Sequence, residues 1–176
     1  MLNILRRAAD EKRIAERLYR AVAKRAREPL FYRELGVDDT FDGRFDLLVL
    51  HGWLVADALK SRGLADLEQR LISTMFLGFE EALRDQGVGD VGVSHRSKAM
   101  TSALFGRLKA YAAAADEKDL VQVLQRNLYR DAPGREDCAT RVAHYIAESR
   151  RALGTQDLTA EEPVFPALTG TMEKSC

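Results

Sequence analysis

The chain has 176 residues and a mass of 19.7 kDa, enough for one ordinary domain and short for two. Lys plus Arg and Asp plus Glu both count 27, so the formal net charge is zero. With a pI near 6.8 there is none of the basic excess that marks a dedicated DNA-binding domain. Hydrophobic residues at 46% and charged residues at 31% exclude a disordered or collagen-like chain.

The N-terminus, Met1 to Asp10, lacks the apolar run of a signal peptide. Ile14, Leu18 and Val22 recur every four residues, which predicts a long amphipathic helix over residues 3 to 27. It must end before Pro29, because the residue before a proline avoids helical angles. Residues 1–28 hold nine Lys or Arg against four Asp or Glu, a local excess of five that the rest of the chain balances. A basic amphipathic helix suits an anionic membrane or ribosomal RNA, and a plain solvated face is the competing reading. The membrane reading names Arg6, Arg7, Arg13 and Arg17, with Leu2, Ile4 and Leu5 inserting shallowly.

Pro29 can open a short helix that Gly36 closes, and Asp39 or Thr40 can cap the next, over residues 41 to 62. That helix holds the most apolar stretch, Phe45 to Leu59. It is broken by Asp46, His51 and Asp57 and is shorter than the roughly 20 residues of a membrane span, so it reads as a core helix. A fourth helix carries Leu67, Leu71, Met75, Phe79 and Leu83 and ends at Gly87. After the glycine-rich loop 87–93, Ser94 is the expected cap of a fifth, marked by Met100, Leu104, Leu108 and Tyr111. Asp116 caps a sixth through Leu120, Leu124 and Leu128. A seventh carries Cys138, Val142, Tyr145, Ile146 and Leu153.

The expected fold is therefore all-α, a single domain of about seven helices over residues 1–154. A poorly ordered tail is expected over 155–176. Inward positions include Leu48, Val55, Leu71, Met75, Met100, Leu104 and Leu124. Cys138 and Cys176 make no disulfide framework, which fits a reducing, cytoplasmic setting, and Cys138 has the spacing of a small buried hydrophobe.

Catalytic and metal chemistry find little support. His51, His95 and His144 are far apart, with no His-x-x-x-His or Cys-x-x-Cys pair, and His51 reads as a satisfied core histidine. Gly87, Gly89 and Gly92 match the letters of a dinucleotide fingerprint, but they follow a helix rather than a strand. No catalytic residue, cofactor or metal is expected.

Three segments carry a resemblance. The first is Phe31-Tyr32-Arg33-Glu34-Leu35-Gly36-Val37-Asp38-Asp39-Thr40-Phe41-Asp42-Gly43-Arg44-Phe45-Asp46. The second is Gly78-Phe79-Glu80-Glu81-Ala82-Leu83-Arg84-Asp85-Gln86-Gly87-Val88-Gly89-Asp90-Val91-Gly92-Val93, continuing into Lys98-Ala99-Met100. The third is Phe105-Gly106-Arg107-Leu108-Lys109-Ala110-Tyr111 with Arg126-Asn127-Leu128-Tyr129. Together they resemble the ubiquinol–cytochrome c chaperone family from about Ile14 to Ile146. Ser94-His95 departs from the family's usual proline and basic residue.

The resemblance implies an all-helical, non-enzymatic assembly factor for the cytochrome bc complex that binds newly made cytochrome b. It also implies work beside the ribosome and a small partner protein, both less secure in a compact bacterial form. The setting is the cytoplasm, with peripheral attachment to the cytoplasmic face of the inner membrane. A lipid- or isoprenoid-binding protein, with a pocket among helices 45–59 and 67–83, is the alternative. A deep apolar pocket walled by His51 or Asp57 would favour it. Candidate partner-binding residues are Phe31, Tyr32, Arg33, Arg44, Arg84, Val88, Asp90, Arg96 and Lys98. For Phe31 core packing is the stronger reading.

Overall fold

A computed structural model of the protein describes residues 2–85 and 90–168, with side chains over 6–85 and 96–168. Its described elements are helical: α1 (Leu2–Ala26), α2 (Pro29–Arg33), α3 (Phe41–Ser61), α4 (Ala65–Asp85), α5 (Asp90–Ala113), α6 (Glu117–Asn127) and α7 (Glu136–Thr155). No strand occurs among the described residues.

Helix α3 is the hub. It packs against α1, α4, α5 and α7, and residues on every side of it are buried, from Phe45, Leu47 and Val49 to Leu54, Val55 and Leu59. A helix covered all round needs no amphipathic stripe, which is why its sequence reads as one apolar run. The surrounding helices bury single stripes: Ala15, Leu18, Val22 and Ala26 on α1, and Leu67, Leu71, Met75, Phe79 and Leu83 on α4. Of the expected inward residues, Val55, Leu71, Met75, Leu104 and Leu124 are buried, while Leu48 and Met100 are half-buried against the core.

The caps follow local chemistry. Thr40 Oγ1 accepts from the Gly43 N–H at 3.1 Å and starts α3, and Asp116 Oδ1 accepts from Asp119 N–H at 2.8 Å and starts α6. The chain turns in the left-handed region at Gly36 (φ 62) and Gly63 (φ 73). One expected cap is corrected. Helix α5 begins at Asp90, so Ser94 lies inside it, and the basic residues Arg96 and Lys98 lie beyond its first turn. Residues 86–89, which include the start of the glycine loop, lie outside the described residues.

His51 is fully buried and its ring is satisfied at both nitrogens. Nδ1 donates to the Leu47 carbonyl at 2.7 Å, which leaves Nε2 to accept from the Tyr145 hydroxyl at 2.9 Å. Arg25 Nε donates in turn to Tyr145 Oη at 3.0 Å, so one polar chain joins α1, α3 and α7. Burial pulls the His51 imidazole down to about 3, and it is neutral. Cys138 is fully buried, as its spacing predicts.

The packed chain runs past the boundary expected at residue 154. After α7, residues 156–168 lie against the bundle. Leu158 is buried, Arg17 Nη2 donates to the Leu158 and Thr159 carbonyls, and Arg25 Nη2 donates to the Pro166 carbonyl at 2.6 Å. The Phe165 ring stands edge-on to His51 at 5.3 Å. Residues 169–176 lie outside the described residues.

Candidate functional site

The end of α1, the short α2, the start of α3 and the second half of α4 frame a groove. Its apolar part has a cavity of about 210 Å³ floored by Phe41, Phe45, Leu48, Phe79 and Ala82. Tyr19 and Ala23 of α1 form the wall, and Arg27 and Arg44 stand at the mouth. Both arginines also line a second, adjoining cleft with Tyr32, Arg33 and Asp39. The result is an aromatic trough leading to a cationic rim.

Local sequence explains the shape. Gly78 lets Tyr19 lie across α4: a Cβ there would sit 2.0 Å from the Tyr19 hydroxyl oxygen and 2.5 Å from its ring carbon. Gly43 lets the 38–40 turn fold back on α3, because a Cβ would meet the Asp38 carbonyl oxygen at 2.0 Å. Phe45 packs on Phe79 with ring centroids 4.7 Å apart, which ties α3 to α4 under the groove.

On the rim, Arg44 Nε donates to Asp39 Oδ1 at 2.8 Å, and that guanidinium holds the Asp39 carboxyl below its usual range. The pair is exposed, so it orients Arg44 more than it stabilises the fold. Tyr32 donates its hydroxyl hydrogen to the Ala26 carbonyl at 2.7 Å and so fixes α2 against the end of α1. Burial raises the Tyr19 and Tyr32 phenols, which stay neutral donors.

One residue beyond Phe45, Asp46 is fully buried. Arg107 Nε of α5 lies 2.8 Å from its Oδ1, and Arg130 Nη2 from the turn after α6 lies 2.7 Å from its Oδ2. Burial raises the Asp46 carboxyl to about 6 against the pull of both guanidinium groups. Arg130 (φ 52) and Asp131 (φ 54) take left-handed angles that cost non-glycine residues roughly 1–2 kcal/mol each. The ion pair to Asp46 offsets part of that cost. The Arg107 guanidinium also lies 5.2 Å over the Phe45 ring, so this buried charge cluster braces the groove floor from beneath.

The residues singled out from sequence do not form one cluster. Tyr32, Arg33 and Arg44 meet at the rim of the groove. Phe31 takes the core reading: it is fully buried, edge-on to His51 at 5.0 Å and Tyr145 at 5.4 Å, and presents nothing to a partner. Arg84 is exposed on α4 beside Glu80 at 3.8 Å and does not line the groove. Arg96 and Lys98 are exposed on α5. Asp90 opens α5, its side chain is outside the described set, and Val88 lies outside the described residues altogether.

Of the four arginines assigned to a membrane surface, Arg6, Arg7 and Arg13 are exposed. Arg7 donates to Glu11 at 2.9 Å, and Arg17 holds residues 158 and 159. Sequence reasoning missed Tyr19, Arg27 and Phe79 as groove residues and Asp46, Arg107 and Arg130 as a unit. Asp46 inside an apolar run was the one visible signal.

Among the described residues no group of three His, Cys, Asp or Glu side chains is placed to hold a metal ion. No described helix is long and apolar enough to cross a membrane. The chain belongs to the ubiquinol–cytochrome C chaperone family, whose model matches residues 33–161. It is thereby a chaperone of ubiquinol–cytochrome c reductase (complex III) assembly. A crystal structure of the Cbp3 homolog from Brucella abortus matches with a TM-score of 0.79 and 27% sequence identity. That match covers 96% of this chain and 98% of that one. No curated protein matches the chain.

Proposed function

We propose that this chaperone receives newly made cytochrome b in the groove between α1, α3 and α4. The observation that carries the reading is the source of the groove's walls. Tyr32, Arg33, Asp39, Phe41, Arg44, Phe45, Phe79 and Ala82 all come from the two segments that carry the family resemblance, 31–46 and 78–93. A membrane protein in assembly presents apolar side chains whose burial is worth about 1.5–3 kcal/mol each, next to polar loops at the membrane edge. An aromatic trough beside exposed arginines matches both, and holding such a segment until assembly requires no bond to be made or broken.

The lipid-binding alternative receives no support from the cavity. The apolar cavity between α3 and α4, where such a ligand would sit, is about 210 Å³, smaller than the roughly 300–1,000 Å³ of small-molecule pockets, and the adjoining cleft of about 410 Å³ is lined mostly by charged side chains. Neither His51 nor Asp57 stands in the wall of either.

Deleting the gene is expected to lower assembled cytochrome bc complex on native gels while cytochrome b transcript stays unchanged. The wild-type chain should restore the complex, and a chain with Arg33→Glu and Arg44→Glu should restore markedly less. Normal complex levels in the deletion strain would count against the reading.

A further inference from the structure

Of the nine cations of residues 1–28, Arg17 and Arg25 are half-buried, Arg7 and Lys12 are exposed but lie off the outer face of α1, and five remain on that face. Arg7 lies against Glu11, which also accepts from Arg70 at 2.8 Å; Arg17 holds the 158–159 carbonyls; Arg25 points into the Tyr145 cluster. Arg6, Arg13, Arg20, Lys24 and Arg27 are all exposed. At 3.6 residues per turn these five fall within about 60° of arc on the side of α1 away from Leu18, with Arg27 one residue past the helix end. They run about 32 Å along its axis. Arg6, Arg13, Arg20 and Arg27 are spaced seven apart, two turns each.

Between residues 6 and 27 the same arc otherwise holds only Ala9. The nearest acids flank it and are engaged: Asp10 lies 3.0 Å from Arg13, and Glu16 lies 3.9 Å from Lys12. Arg6, Arg20 and Lys24 have no ion-pair partner among the described residues.

We infer that this stripe docks α1 along an anionic lipid surface through headgroup phosphates. A convex row of cations on one straight helix meets a plane, and each cation close to such a surface adds to the attraction. Single-stranded RNA is gripped by aromatic side chains as well as by cations, and the arc holds no aromatic residue. Between residues 6 and 27, where Ala9 is its one apolar residue, the arc lies on the headgroups and does not insert, so salt must weaken the contact. Arg27 ends the stripe and also lines the groove. Docking would therefore hold the groove at the membrane edge; that last link rests on the proposed client, whereas docking itself does not.

The test is co-sedimentation of the full chain with vesicles of phosphatidylcholine mixed with phosphatidylglycerol. Binding at low salt should fall at least about tenfold when Arg6, Arg13, Arg20, Lys24 and Arg27 all become Gln. An Arg7→Gln, Lys12→Gln variant should stay within about twofold, because those residues lie off the stripe. Changing the four stripe arginines to Lys should preserve binding, and circular dichroism should show an unchanged helical spectrum for every variant. Undiminished binding by the five-Gln variant, binding that persists at about 1 M salt where the Debye length is short, or binding to RNA without binding to vesicles would overturn the inference.

Discussion

Replacing Phe31 by alanine is expected to cost about 3–5 kcal/mol of stability, a large part of what a domain of this size possesses. The ring is fully buried and stands edge-on to His51 and Tyr145, with the Arg25 guanidinium 5.5 Å from its centroid. Removing it opens a cavity beside a polar chain whose order depends on close packing. Urea unfolding followed by Trp53 fluorescence measures the loss. The substitution also separates two roles read from sequence. A partner-contacting Phe31 would weaken client capture at nearly constant stability, whereas a core Phe31 lowers stability first.

Two buried groups should pull stability in opposite directions as pH falls from 6.5 to 4.5. His51 is held near 3, below its ordinary 6.5. Acidification therefore protonates the unfolded chain before the folded one, and stability falls by up to about 1.4 kcal/mol per pH unit. Asp46 is held near 6, above its ordinary 3.8. The folded state takes up its proton first, so acidification through this window adds stability at a similar slope, and raising the pH through 6 removes it.

The groups facing Asp46 are Arg107 and the buried Tyr111 of α5, Arg130 of the turn after α6, and Asp42 of α3 through Arg130. Those facing His51 are Tyr145 of α7 and Arg25 of α1. The wild-type profile should be nearly flat across the window. Asp46→Asn should lose about 2 kcal/mol on going from pH 6 to 4.5, and His51→Asn should gain a similar amount. Exposed carboxylates held low by partners, such as Asp39 beside Arg44, titrate mostly below this window. Denaturant midpoints at several pH values decide the matter, and parallel profiles for all three proteins would contradict it.

Much of the fold was legible because helical periodicity and cap chemistry are local. Leu67, Leu71, Met75, Phe79 and Leu83 mark the buried side of α4 by spacing alone, and Thr40 and Asp116 cap where their hydroxyl and carboxylate chemistry predicts. Failures occurred where partners are distant in sequence. Arg130 reaches Asp46 only because two residues take left-handed angles, and no pattern announces that.

Residues 156–168 lack helical period, so their packing could not be read. They are held by arginines of α1 acting on backbone carbonyls, a contact without a side-chain signature at the receiving end. Likewise, the nine cations near the N-terminus look alike in sequence. Only the packing of α1 on α3 and α4 decides that Arg17 and Arg25 reach into the bundle while Arg6 and Arg20 do not. The groove itself was half visible: Tyr32, Arg33 and Arg44 were singled out, but their neighbours Tyr19 and Phe79 come from α1 and α4.

The most direct test of client binding in this groove is site-specific photo-crosslinking in cells that make the cytochrome bc complex. A photoreactive side chain is placed at Tyr32, at Arg44 or at Lys60, which is exposed at the far end of α3, about 24 Å along the helix from Arg44. Adducts containing cytochrome b are expected from positions 32 and 44 and not from position 60. Adducts from position 60 with none from 32 or 44 would contradict the assignment of the client to the groove.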